Sequence, residues 1–449
     1  MRRGFLNSAK PKPSADKRVG NSASSHGSIV TAVQEGKKSI DSAVPYATIQ
    51  AQLMAGTTND LERLKEECWK EYEWISFPPN AVAAGEPATE CIFLPGTKQV
   101  LLNTPGFPQP LPPAPTNPAY RVAPIPGKGL GLIATRPIKQ GELILTERPL
   151  LIRPKNLRMF LPPNLNEKQT TQHILDEWER VTEPAVSRMT EERRDAFFKL
   201  HNNKTDDGSG PITGLVVTNG LEWTNLHPGL TGGLGDYIAV CDRISRLNHS
   251  CSPNTQATQS RAELTSTLHA VRDIAQGEEL TIHYFNTLGP AAARAESCKR
   301  YGFTCECPSC AKPQERIAES DARRTTLREF NLSDAEKRWA RDPTLPLDWL
   351  VTQCLEQLDL LEKEGLQACN TYCVLPQAIM GSYVMLADAK RASKWAAVVN
   401  ERRWINDYVP PDPSYLDPKS PAYEKNRVWG LRTIHGHAAM VKMMGFGAG

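Results

Sequence analysis

The stretch "CECPSC" sets Cys305, Cys307 and Cys310 at a C-x-C-x-x-C spacing. Three thiolates this close supply three corners of a tetrahedron, and Zn–S bonds of about 2.3 Å suit them. A closed structural site needs a fourth ligand, and "AKP" ends the cluster without one. Upstream, the candidates are Cys298, Cys251, Cys241, His283 and His249. Cys251 is the most economical. It sits in "NHSCSPN" (residues 248–254), too polar for a strand and too broken for a helix, where packing gives no reason for a cysteine. The competing readings are a coincidental surface cluster or redox chemistry for the trio, and a small buried hydrophobe for Cys251. A structural zinc would contribute on the order of 10 kcal/mol to folding and pin the loop near 250 to the segment near 305. The chain has eleven cysteines and no secretory h-region, so clustered cysteines read as metal ligands rather than disulfides. Tyr284 ends the strand-like run "LTIHY"; alone, it reads as an ordinary strand tyrosine.

Elements must carry these residues. A chain of 449 residues predicts roughly three domains or fewer and can bury a core without staples. Its hydrophobic fraction of 40% and charged fraction of 23% are ordinary for a globular protein. A net charge of +3 does not argue for nucleic acid. Basic residues cluster only at Lys10–Arg18 and in "ADAKRASK", with no interleaved aromatics, so no direct nucleic-acid contact is expected. No apolar run approaches the ~20 residues that span a bilayer, so no membrane is expected.

Residues 1–45 read as a disordered basic tail, because prolines and glycines interrupt any amphipathic helix. Residues 46–103 read as a helical extension. Its helix runs over 59–75, with Leu61, Leu64, Cys68, Tyr72 and Ile75 on one face and Pro78 and Pro79 as its stop. A proline-dense linker follows over 104–121. Short strands then dominate 122–285, broken by a helical insert over about 155–210. "ITGLVVTNGLEWT", "TLHAVRDI" and "EELTIHYF" read as strands, and "RPIKQGE" and "DIAQGEE" as hairpin turns. Residues 286–314 carry the thiols. Residues 315–449 read as helical, with an apolar stripe at Leu347, Leu350, Val351, Cys354, Leu358 and Leu361 and Gly365 as its C′ residue.

Four ordered stretches resemble the motifs of SET-domain protein lysine methyltransferases, and within them the SET-and-MYND group and its fungal relatives. "GKGLGLIA" (127–134) is similar to the glycine motif, "RLNHSCSPN" (246–254) to the Asn-His motif, "GEELTIHYF" (277–285) to the motif ending in the catalytic tyrosine, and "YGFTCECPSC" (301–310) to the cysteine-rich post-SET segment. A lone G-x-G is a weak signal; four in order over residues 122–312 are specific, and they cover a little under half of the chain. The resemblance implies an α+β fold: a SET domain of small curled sheets with knot-like threading and a helical insert, a zinc-binding post-SET segment and an all-α C-terminal lobe. It implies a zinc held by Cys251, Cys305, Cys307 and Cys310. The insert over 153–235 has no cysteine, so the second zinc module of the SET-and-MYND group is missing. Gly131 stands where relatives often carry a larger side chain.

The resemblance also implies S-adenosylmethionine as cofactor. Lys128, Gly129 and Leu130 would meet its methionine part through backbone atoms, glycine permitting close approach. Asn248 and His249 would contact it through side chain and backbone, and Asn219 would lie nearby. Tyr301 and Phe303, placed by the metal, would wall the lysine channel and cover the adenine. Tyr284 would orient the amine and contact the methyl group. A lysine amine near pKa ~10.4 must lose its proton, which costs several kcal/mol near pH 7 at ~1.4 per unit. An apolar channel and the sulfonium charge both disfavour the ammonium, so no general base is nominated. The implied partner is a protein substrate, a histone tail or another lysine-bearing protein, in the nucleus, the cytoplasm or both. A further protein partner would dock on the helical lobe. The alternative is an inactive SET-like module that recruits partners through that lobe.

Overall fold

Short β-branched and aliphatic runs, punctuated by glycine and proline, build this molecule from small strands. The computed structural model describes residues 28–33, 50–51, 72–402 other than 114, 163, 231 and 232, and 428–433. In chain order the strands are β1 (Ser28–Val33), β2 (Gln50–Ala51), β3 (Glu73–Phe77), β4 (Thr89–Phe93), β5 (Tyr120–Ile125), β6 (Gly129–Ala134), β7 (Leu143–Glu147), β8 (Leu151–Pro154), β9 (Asn156–Leu161), β10 (Leu221–Trp223), β11 (Tyr237–Val240), β12 (Asn248–His249), β13 (Thr255–Ser260), β14 (Thr265–Ala270) and β15 (Glu279–Ile282). Among the described residues they form sheets ordered β2-β1-β9, β10-β11-β8-β4-β3, β12-β15-β6-β5 and β13-β14-β7. The helices are α1 (Thr97–Leu102), α2 (Glu167–Arg188), α3 (Glu191–Phe198), α4 (Pro211–Asn219), α5 (Ala291–Lys299), α6 (Gln314–Glu329), α7 (Leu332–Arg341), α8 (Trp349–Lys363), α9 (Thr371–Met385) and α10 (Ala389–Glu401).

Helix α2 starts on a capping box, Asn166 with Gln169. Its buried Ile174, Leu175, Trp178, Val181 and Ala185 pack against Ile92, Leu151, Met159 and Ile238. A second cluster, including Leu132, Ile244, Leu247, Leu280 and Ile282, lies beneath the motif-bearing strands. The helical region after residue 313 has its own core around Trp339, Leu350, Cys354, Leu361 and Leu375. Gly365 follows α8 at φ +65°, as its C′ role requires.

Several expectations are corrected. Among the described residues of the 46–103 region, Glu73–Phe77 is a strand, paired antiparallel with β4, where the helix over 59–75 was expected to end, and Thr97–Leu102 is helical. The rest of that helix, residues 59–71, lies outside the described residues. The tail over 1–45 contains β1, which pairs antiparallel with β9, so the insert over 155–210 opens with a strand. "ITGLVVT" is helical in α4. The Glu179 carboxylate of α2 accepts from the amides of Ile212 (3.0 Å) and Thr213 (2.7 Å) at its first turn, and Pro211 sits at its start. Leu347 precedes α8 and is exposed, so it leaves the apolar stripe.

Candidate active site and metal centre

The Asn-His stretch is held by a strand it does not follow in sequence. β12 pairs parallel with β15, Asn248 opposite Thr281 and His249 opposite Ile282. Asn254 then closes the loop. Its Nδ2 donates to the Glu279 carbonyl (2.8 Å) and Glu278 Oε1 (2.9 Å), and its Oδ1 accepts from the Thr281 amide (2.8 Å). One buried side chain thus does the hydrogen bonding of a strand, which frees residues 250–253 to turn away.

Those residues carry Cys251 to the trio. The Sγ atoms of Cys251, Cys305, Cys307 and Cys310 all lie within 4.8 Å of one another. A tetrahedron with ~2.3 Å bonds has sulfur–sulfur edges of about 3.8 Å. Two edges here are 4.0 Å (Cys251–Cys305) and 3.6 Å (Cys251–Cys310), so the donor set fits a zinc ion. The thiols share protons: Cys305 and Cys307 are drawn below the ordinary range, first by hydrogen bonding with Cys251, whereas Cys251, first through Cys298, and Cys310 are pushed above it. The Arg294 side chain, almost wholly buried, adds a positive charge beside Cys251 and Cys310.

The remaining ligand candidates separate. His249 Nδ1 accepts from the Tyr284 amide at 3.1 Å, so in the neutral ring the proton sits on Nε2. Nε2 lies 3.3 Å from Cys251 Sγ and donates to it as a supporting group. Cys298 is buried beside the cluster, grouped with His249 and Cys305. Cys241 belongs to the core under the strands, and His283 lines a separate small hollow with Glu222 and Gln259.

A cleft of about 600 Å³ opens beside the cluster. All nine residues assigned to the cofactor line it: Lys128, Gly129, Leu130, Asn219, Asn248, His249, Tyr284, Tyr301 and Phe303. So do Cys305 and Cys307, which places the thiols in its wall. Gly127 and Gly129 take φ of +72° and +73° in the tight turn between β5 and β6. The Lys128 amide is consumed in that turn by the Ile125 carbonyl (3.0 Å), so it is not available to a ligand. Lys128 Nζ pairs with Glu279 Oε2 at 2.7 Å, and Asn248 Nδ2 donates to Glu279 Oε1 at 2.9 Å. Asn219 donates to the carbonyls of His201 (2.7 Å) and Leu215 (2.8 Å), so its amide hydrogens hold the wall together.

Tyr284 donates from its hydroxyl to the Leu247 carbonyl at 2.7 Å, and burial, followed by neighbouring Tyr301 and Glu279, holds its pKa well above the ordinary phenol value. The phenol therefore stays protonated at physiological pH. Its ring lies 5.3 Å from Tyr301 and meets Phe303 edge-on at 6.3 Å, while His249 stacks on Phe285 at 4.5 Å.

Residues 129–285 match the SET domain family. The chain thus contains a segment similar to SET domains. It is 32% identical over 219 residues to histone-lysine N-methyltransferase set5 of Schizosaccharomyces pombe, covering 48% of this chain and 58% of that one. Over 88 residues it is 33% identical to N-lysine methyltransferase SMYD2-B of Danio rerio (19% of this chain, 20% of that one). Over 83 residues it is 44% identical to histone-lysine N-methyltransferase SMYD3 of Homo sapiens (18% and 19%). The chain thus spans a little over half of the set5 protein and about a fifth of the two SMYD proteins. The Neurospora SET domain protein DIM-5 aligns with 37% of this chain and 52% of that one at 19% identity, with a TM-score of 0.19, too low to bear on the fold. Within the matched residues, Asn254 and Glu279 fall in the quoted motifs, yet their bonding roles were not singled out from the sequence; downstream, nothing in the sequence pointed to Arg324. Among the described residues, no helix is long and apolar enough to cross a membrane.

Proposed function

We propose that this protein is an S-adenosylmethionine-dependent protein-lysine N-methyltransferase acting on histone or other protein lysines in the nucleus, the cytoplasm or both, with a structural zinc at Cys251, Cys305, Cys307 and Cys310. One observation carries the reading: residues from four separated motifs line a single cleft whose wall contains the thiol cluster. The parallel pairing of β12 on β15 supports the knot-like threading. The cleft volume suits a cofactor-sized ligand.

The cofactor supplies an electrophilic methyl on a sulfonium; the amine lone pair forms the N–CH3 bond as the S–CH3 bond breaks, leaving a thioether. The chain's task is alignment. Tyr284 stays a neutral phenol, fixed by the Leu247 carbonyl, so it orients the amine rather than taking its proton. That proton goes to solvent before attack, and the aromatic walls of Tyr284, Tyr301 and Phe303 disfavour the charged ammonium. Tyr301, nearer Tyr284 and donating to its carbonyl (3.3 Å), walls the lysine channel, which leaves Phe303 for the adenine side. The zinc would fix the backbone on either side of that wall.

The test is transfer of radiolabelled methyl to core histones and whole-cell protein, with mass spectrometry of labelled sites. Label on lysine is expected. Folded protein that binds the cofactor yet labels nothing would favour the recruiting module instead.

A further inference from the structure

Arg324, on α6, is fully buried, and its guanidinium meets five acceptors from four separate stretches of chain. Nε donates to Glu364 Oε2 (3.0 Å), just past α8. Nη1 donates to the carbonyls of Cys251 (3.2 Å) and Thr287 (2.5 Å). Nη2 donates to Ser252 Oγ (3.3 Å) and Ser309 Oγ (3.2 Å). An arginine has five N–H donors, so this one is fully used. Its acceptors are the metal loop, the segment just past Tyr284, the post-SET thiol loop and the helical lobe. The lobe side is equally engaged. Glu364, wholly buried, also accepts from Ser320 Oγ (2.5 Å) and Arg323 Nε (2.7 Å), and its carbonyl accepts from Ser252 Oγ (2.8 Å). Ser252 and Ser309 hydrogen-bond each other.

We propose that Arg324 is a positioning residue for methyl transfer, through which the helical lobe sets the spacing of the two metal-binding loops and hence the shape of the cleft. This deepens the methyltransferase reading and rests on it. Cys305, Cys307 and Phe303 line the cleft, so a shift of the post-SET loop against the Cys251 loop moves the cofactor's wall. Lysine at 324 keeps the charge but cannot span five acceptors in a fixed plane.

The test uses the full chain with Arg324→Lys and, as a gentler change, Ser309→Ala, which removes one acceptor. Zinc release to a colorimetric chelator should be at least about tenfold faster in Arg324→Lys and intermediate in Ser309→Ala. The KM for S-adenosylmethionine should rise more than kcat falls, whereas mere loss of folded protein would lower kcat alone. Amide hydrogen exchange should quicken over residues 249–254 and 305–310. Wild-type exchange, zinc release and KM in both variants, with only a lowered melting temperature, would overturn the proposal. Wild-type protein without zinc or transfer would instead overturn the earlier reading; exchange in those two segments needs neither and still decides the role of Arg324.

Discussion

Each ring nitrogen of His249 is committed, one to the Tyr284 amide and one to Cys251 Sγ, so the thiol cluster and the Tyr284 end of the cleft share one imidazole. Tyr284→Phe keeps the ring packing and removes only the hydroxyl. Cofactor affinity should hold while the transfer rate falls roughly 10²-fold; calorimetry and single-turnover labelling separate the two, and a wild-type rate would remove Tyr284 from the reaction. Cys305→Ser removes one thiol of the proposed zinc set. Zinc content should fall toward zero by metal analysis, with loss of folding stability approaching the roughly 10 kcal/mol a structural zinc supplies; unchanged zinc would refute the tetrahedral assignment. That the thiols, the Asn-His pair and the glycines converge on one cleft was legible because they have distinctive types and spacing. The bonding roles of Asn254 and Glu279, though both lie in the quoted motifs, and of Arg324 were not, because the partners of each lie far away in the sequence and leave no periodicity or spacing to find.

At the level of elements, β-branched content misled where tertiary contacts prevailed. "ITGLVVT" became helix because Glu179 satisfies its first amides, and "EWISF" became strand because β4 offers it a partner. Gly131 in β6 shows how tightly the motif strands sit. A Cβ there would come 2.7 Å from Ile125 Cγ1 and 2.8 Å from Asn248 Nδ2. Gly131→Val should displace Asn248 and weaken S-adenosylmethionine binding about tenfold or more by calorimetry; equal affinity would mean the hairpin yields freely. β7 carries a titrating group. The Glu147 carboxylate accepts from the amides of Arg243 and Ile244 ahead of the Asn-His motif, and burial nonetheless raises it from 4.5 to about 7. Between those values the folded chain holds a proton that the unfolded chain has released, so stability falls as pH rises through that window. The melting temperature should drop from about pH 5 to about pH 8, and Glu147→Gln should flatten the slope; parallel curves would show that Glu147 does not set it.

On the scale of the whole molecule, the small-strand architecture and the helical C-terminal region followed from pattern. The union of the first strands with the sheet that follows them did not, since strand pairing across sixty residues has no local signal. β4 lies parallel to β8, with Cys91 opposite Ile152, and Phe77, Cys91, Phe93 and Leu101 share a core with Ile152, Trp223 and Tyr237. β5 likewise pairs with β6 along its full length from a position upstream of residue 129. Trimming the gene to the recognisable 129–285 portion would therefore strip three strands, β6, β8 and β9, of their partners β5, β4 and β1, and bare the apolar side chains packed between β4 and β8. Such raw borders invite sticking to other copies, so a soluble fragment for crystallisation or screening has to begin early enough to keep β1, no later than residue 28.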